Sequence, residues 1–104
     1  MSQDKRHALL RQTKLEALTP NTLTDLDELD TELERINVRN VSIDNEEFVL
    51  GITCVAVPIF DDKNNCIAAI AMHGQVATTP LTVSLSFIPR LQTAAQELSK
   101  TFGF

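Results

Sequence analysis

Two neighbouring runs of this chain, ITCVAVPIF at 52–60 and CIAAIAMH at 66–73, are apolar at nearly every position. A short polar turn, DDKNN, joins them, and together they read as a β-hairpin. A hairpin lying on a surface alternates apolar and polar residues, because one of its faces meets water. A run without that alternation reads as strand covered on both faces. The hairpin is therefore the middle of something. At 104 residues the chain is one domain at most, and it is hard pressed to supply both covers itself.

The register of the hairpin is open to two readings. A four-residue loop, Asp62–Asn65, pairs Cys54 with His73. A five-residue loop pairs Cys54 with Met72 and turns His73 to the other face. The first sets a thiol against an imidazole, the raw material of a nucleophilic pair. No third residue offers itself to orient the histidine, and a buried cysteine commonly serves as a small hydrophobe. No catalytic residue is assigned. Cys66 falls near the turn, at the far end of the hairpin from Cys54 and beyond disulfide reach, so both thiols are expected free, as in a cytoplasmic protein. Pro58 inside the first strand marks an edge or a bulge at that point.

The flanking segments read as helices and loops. Residues 3–12 suit a short helix with Ala8, Leu9 and Gln12 inward. Leu15 and Leu18 anchor a loop broken by Pro20. Thr24 or Asp25 opens a second helix, on which Leu26, Leu29, Leu33 and Ile36 form one face. Its acids read as a solvated face, and Val41–Ile43 as a short strand. The final helix spans about 80–102, capped by Thr78 or Thr79 and stopped by Gly103, with Pro89 imposing a kink or break near 85–88.

Charge excludes some functions. The net charge is −5 and the nine Lys and Arg are scattered, so the chain lacks the clustered cations that grip phosphates. No apolar stretch approaches a membrane span, and the N-terminus MSQDKRH has no signal-peptide core. Asp44, Glu46 and Glu47 form a carboxylate cluster with no second histidine to complete a metal site, so no metal or other cofactor is expected. The cluster reads either as a solvated loop or as Asp44 standing at the mouth of a pocket.

Three segments together resemble one family. LTPNTLTDLDELDTELERI, RNVSIDNEEFVLGITCVAVPIFDDKNNCIAAIAMHGQ and IPRLQTAAQELSKTFG follow, in order and spacing, the effector-binding domain of IclR-type bacterial transcription regulators. The most specific part is the pattern E-E-x-x-x-G-x-x-C-x-A-x-P, from Glu46 to Pro58. The resemblance implies an α+β fold, a curved antiparallel sheet flanked by helices, related to PAS and GAF sensor domains. It implies a small organic acid as effector, a homo-oligomer, and contact with DNA only through a winged helix-turn-helix that this chain lacks. It also implies that 1–104 is the C-terminal portion of the sensing domain, without the earlier strands and the small-residue segment that offers backbone N–H groups to the effector.

The family's effector-binding positions map onto Asp44, Ile52 and Cys54, and onto Ala71 and His73, where serines are common. This mapping favours the four-residue turn, which puts the five on one face. Losing a hydroxyl at Ala71 and gaining an imidazole at His73 alters the family's keto-acid chemistry. The arginine that often follows the second strand is missing from QVATTP. The competing reading is an interaction and oligomerisation module that no longer senses a ligand.

Overall fold

The protein is described by a computed structural model covering residues 1–103. In chain order it holds α1 (Gln3–Arg11), α2 (Leu26–Arg39), β1 (Ser42–Asn45), β2 (Ile52–Phe60), β3 (Cys66–Gln75), α3 (Leu81–Ser86) and α4 (Ile88–Thr101). The strands form one antiparallel sheet in the order β1-β2-β3. The fold is α+β, as the sequence implied.

The hairpin resolves both register readings. From Ile52 to Ile59 the pairing is that of the four-residue loop, with Cys54 opposite His73 and Pro58 opposite Ala69. Between Ile59 and Phe60 the register slips by one, so Phe60 pairs with Cys66 and the turn itself has five residues. Asp61 builds that turn: its Oδ1 accepts the N–H groups of Lys63 and Asn65. Those bonds favour the charged carboxylate and hold it below the usual aspartate range. The slip is a β-bulge, which keeps the long arm in the register that the core requires.

Burial along β2 alternates strictly. Thr53, Val55, Val57 and Ile59 are buried, while Cys54, Ala56, Pro58 and Phe60 are half-buried. The buried set meets α3 and α4 through Leu81, Leu85, Ile88, Leu91, Ala95 and Leu98, with Val41, Ile43, Ala68 and Ile70 from the neighbouring strands. Burying each β2 valine or isoleucine contributes about 1.5–3 kcal/mol. Among the described residues, this is the face that α3 and α4 cover. The radius of gyration is 15.0 Å, against about 13 Å for a compact domain of this length. The extents of 40 × 39 × 18 Å describe a plate: one sheet and one layer of helices.

Pro58 obeys the edge rule although β2 is central. The Val76 N–H donates to the Gly51 carbonyl, which makes the odd-numbered residues of β2 bond towards β3 and the even-numbered ones towards β1. β1 ends at Ser42, opposite Ala56. Pro58 thus points its missing donor past the end of β1, where no ladder bond is lost.

The C-terminal helix breaks at Phe87, and Pro89 falls in the first turn of α4, where its absent N–H costs nothing. Two expectations at its start fail. Pro80 is the N-cap of α3, and neither Thr78 nor Thr79 caps it; the Thr78 hydroxyl donates back to the Gln75 carbonyl instead. In α1, Ala8 and Leu9 are exposed and Arg6 is the buried residue. The cause is polar. The Arg6 Nε donates to Asp30 at 2.7 Å, its Nη2 reaches Glu34 at 3.2 Å, and the His7 Nε2 lies 2.9 Å from Asp30. The acids of α2 therefore are not all a solvated face: two of them clamp α1. Leu18 is exposed, and Leu26 is only partly covered at 38% exposure, so the apolar stripe of α2 begins effectively at Leu29.

Candidate functional site

The uncovered sheet face carries the residues singled out from the sequence. Side chains of directly paired residues share a face, and successive ones alternate. Asp44 pairs with Cys54, and Cys54 with His73, so these three make one row across all three strands. Ser42, Ala56 and Ala71 make the next row, and Ile52 with Gln75 flanks the first. Asp44, Ile52, Cys54, Ala71 and His73 all lie on this face, opposite the helices.

Within the row, the Cys54 Sγ stands 3.9 Å from the His73 Nε2. Burial first, and the nearby Asp44 charge second, push the Cys54 thiol above its ordinary value. Both effects disfavour the thiolate, the opposite of what a nucleophile needs. Ala56 and Ala71 leave a shallow floor beside it, half-buried and exposed respectively.

Asp44 is not a free carboxylate in a solvated loop. It sits in β1, and its Oδ1 accepts the Glu47 N–H at 2.8 Å. Glu47 in turn accepts the Asn45 N–H at 2.9 Å, and Glu46 accepts the Gly51 N–H at 2.8 Å. Glu46 takes a left-handed φ of 56°, and Gly51 follows at 84°, a conformation that suits glycine. The acidic pattern thus ties a tight β1–β2 connection. A second set of bonds holds that connection from outside: the Thr19 hydroxyl donates to the Glu46 carbonyl at 2.6 Å, the Thr22 hydroxyl to the Glu47 carbonyl, and the Asn21 side-chain amide to the Asn45 carbonyl. Sequence reasoning missed this anchor. Its signal was the T-P-N-T run, whose hydroxyls and amide favour local turn bonds.

Two concavities lie towards the turn end of the hairpin. One of about 680 Å³ lies between α4 and the turn end of the hairpin, lined among others by Phe60, Asp62, Gln96 and Lys100. One of about 250 Å³ lies under the end of α2, lined among others by Ile36, Val41, Ala56 and Ala69. Neither is lined by Asp44, Cys54 or His73, and the smaller one reaches Ser42 and Ala56 in the neighbouring row. Among the described residues no group of three His, Cys, Asp or Glu side chains is disposed to hold a metal ion. No helix among them is long and apolar enough to cross a membrane.

Comparison with known proteins places this geometry. The family signature described as bacterial transcriptional regulator IclR C-terminal matches residues 1–100. The chain is 32% identical over 98 residues to the probable transcriptional regulator SauR of Cupriavidus necator, covering 94% of this chain and 39% of that protein. It is 34% identical over 74 residues to the HTH-type transcriptional repressor AllR of Escherichia coli, covering 71% of this chain and 27% of that one. It therefore spans well under half the length of either relative. Among solved structures, the C-terminal domain of the E. coli transcriptional regulator KdgR superposes with a TM-score of 0.87 at 25% identity, covering all of this chain and 63% of that domain. The PobR inducer-binding domain of Acinetobacter, a double mutant in complex with 3-hydroxybenzoic acid, gives 0.87 at 25% identity, covering 95% of this chain and 57% of that one.

Proposed function

Because this chain belongs to the IclR C-terminal family of bacterial transcriptional regulators, we propose that its open sheet face is the effector-sensing surface of such a regulator. The effector is a small organic acid bearing a hydroxyl or amide, held across Asp44, Cys54 and His73, with Ile52 and Ala71 bordering it. The observation that carries this reading is the single row that runs from a carboxylate to an imidazole over a half-buried thiol. The two ends suit opposite ends of one ligand. Asp44 accepts a hydroxyl or amide proton, and His73 donates to the acid group. That an inducer-binding relative carries a hydroxylated aromatic acid supports the class. Burial and the Asp44 charge disfavour the Cys54 thiolate, which favours recognition over nucleophilic chemistry on this surface.

In this reading residues 1–104 form the C-terminal portion of the sensing domain, and operator contact belongs to a separate winged helix-turn-helix. Ligand acts by binding one state of the assembly more tightly than another, and the shift cannot exceed that difference in affinity. Isothermal titration of the 104-residue chain with a panel of hydroxylated and plain carboxylic acids tests this. Binding that is weakened in both Asp44→Asn and His73→Gln supports it. Binding indifferent to both substitutions removes the row from the site.

One observation favours a second reading, an interaction module without a ligand: Asp44, Cys54 and His73 line neither of the two concavities described above. Absence of heat with every acid, from a folded protein, supports that alternative.

A further inference from the structure

We infer that the effector is a monocarboxylic acid with an apolar tail, and that the smaller concavity is the seat of that tail. The inference rests on the effector reading of the Asp44–Cys54–His73 row and deepens it by naming the class of acid.

Strand spacing supplies the ruler. Rows on one face of a sheet recur every second residue, about 6.8 Å apart. From the Asp44–Cys54–His73 row towards the hairpin turn come Ser42–Ala56–Ala71 and then Pro58–Ala69. The concavity of about 250 Å³ is lined by Ser42 and Ala56 of the first and by Pro58 and Ala69 of the second. It therefore begins one row beyond the polar groups and reaches a row about 13 Å from Cys54. The floor between is Ala56 and Ala71, whose methyl groups leave a passage along the sheet.

Charge and size decide what enters. None of the residues lining this concavity is charged, and Ile36 near the end of α2, Val41 and Phe60 give it apolar walls. A second carboxylate placed there would lose its water and meet no cation. The volume of about 250 Å³ lies below the roughly 300–1,000 Å³ of pockets that enclose a whole ligand, so it suits one arm of a ligand. Every residue that lines it lies between Ile36 and Ala69. The other directions are polar. Beyond Ile52 and Gln75 comes the connection that carries Glu46 and Glu47, and the larger concavity carries Asp62 and Lys100. An acid held at the row by Asp44 and His73 thus directs a hydrocarbon arm towards the hairpin turn.

Isothermal titration of the 104-residue chain with straight-chain 2-hydroxy acids, from lactic acid to 2-hydroxyoctanoic acid, tests this. Affinity should rise by up to about fourfold per added methylene, and level off once the concavity is filled. Ala69→Leu fills the concavity from an exposed position on β3. It should lower the affinity ratio of 2-hydroxyoctanoic to lactic acid by on the order of tenfold, a ratio in which any effect on the head group cancels. The diacid 2-hydroxyoctanedioic acid should lose the gain as well. If lactic acid binds and the longer acids bind no better, the tail inference is overturned and the effector reading stands. A gain that survives Ala69→Leu, or that the diacid shares, overturns it too. If no acid of the series binds, the effector reading falls and the tail falls with it.

Discussion

Cys54 and His73 face each other across β2 and β3 with sulfur and Nε2 3.9 Å apart, yet the pair is arranged against catalysis. A thiol–imidazole couple works by generating thiolate. Here burial and the Asp44 carboxylate both raise the Cys54 value, so the sulfur keeps its proton at neutral pH. The same placement makes the pair useful for recognition: a compact thiol next to a ring that can donate or accept.

Alkylation should therefore separate the two cysteines. At neutral pH iodoacetamide should label exposed Cys66 first and half-buried Cys54 slowly. The Cys54 rate should climb about tenfold per pH unit until the medium passes the ordinary thiol range, since only thiolate reacts. Rapid labelling of Cys54 that has already levelled off at neutral pH would restore the nucleophile reading.

Gly74 should be irreplaceable for a packing reason. A β-carbon there would stand 3.0 Å from the Ser84 Oγ, 3.3 Å from the Thr79 carbonyl and 3.4 Å from the Thr53 Oγ1. Glycine inside a strand is normally a weakness that alanine repairs. At this position Gly74→Ala should instead cost about 1–3 kcal/mol, because β3 must draw away from α3 to admit the methyl. Urea denaturation measures it, and a variant as stable as the wild type would mean that the α3 contact is loose.

The Arg6–Asp30 clamp should make the α1–α2 pair acid-labile. Hydrogen bonds from Arg6, then His7, hold the Asp30 carboxyl below the usual aspartate range. A carboxyl depressed in the folded state binds protons less readily than in the unfolded chain. Its contribution is therefore complete above the ordinary aspartate value near pH 4, and is lost as pH falls through the lower folded value. Proteolysis within α1 should accelerate across that acid window in the wild type and show no such step in Asp30→Asn. Identical acid profiles in the two proteins would remove Asp30 as the titrating group.

The sheet was legible in the sequence because its signal is period and chemistry combined. The apolar runs set the strands, Pro89 set the helix break, and the C-x-A-x-P spacing set which residues share the open face. What escaped was polar and non-local. The apolar pattern put Ala8 and Leu9 inward in place of Arg6, whose partners Asp30 and Glu34 lie more than twenty positions away. The acids Glu46 and Glu47 looked like a solvated cluster because nothing in a linear pattern shows that they accept from Gly51 and Asn45. The two turn lengths looked exclusive because a bulge, which reconciles them, leaves no mark in composition.

Thr53 and Ser84 supply the last prediction. Both are fully buried, and among the described residues neither hydroxyl has a hydrogen-bond partner. They converge on the glycine that keeps β3 close to α3. A buried hydroxyl that bonds to nothing costs about 1–3 kcal/mol relative to one left in water. Thr53→Val keeps the β-branched shape that fits the strand and replaces the hydroxyl with a methyl. Ser84→Ala deletes its hydroxyl from α3 without adding bulk. Each should leave stability unchanged or raise it by about 1 kcal/mol in urea melts, and the two together should not sum simply, because both line the same small space. A loss of more than about 1 kcal/mol from either substitution would show that the hydroxyl is bonded in solution.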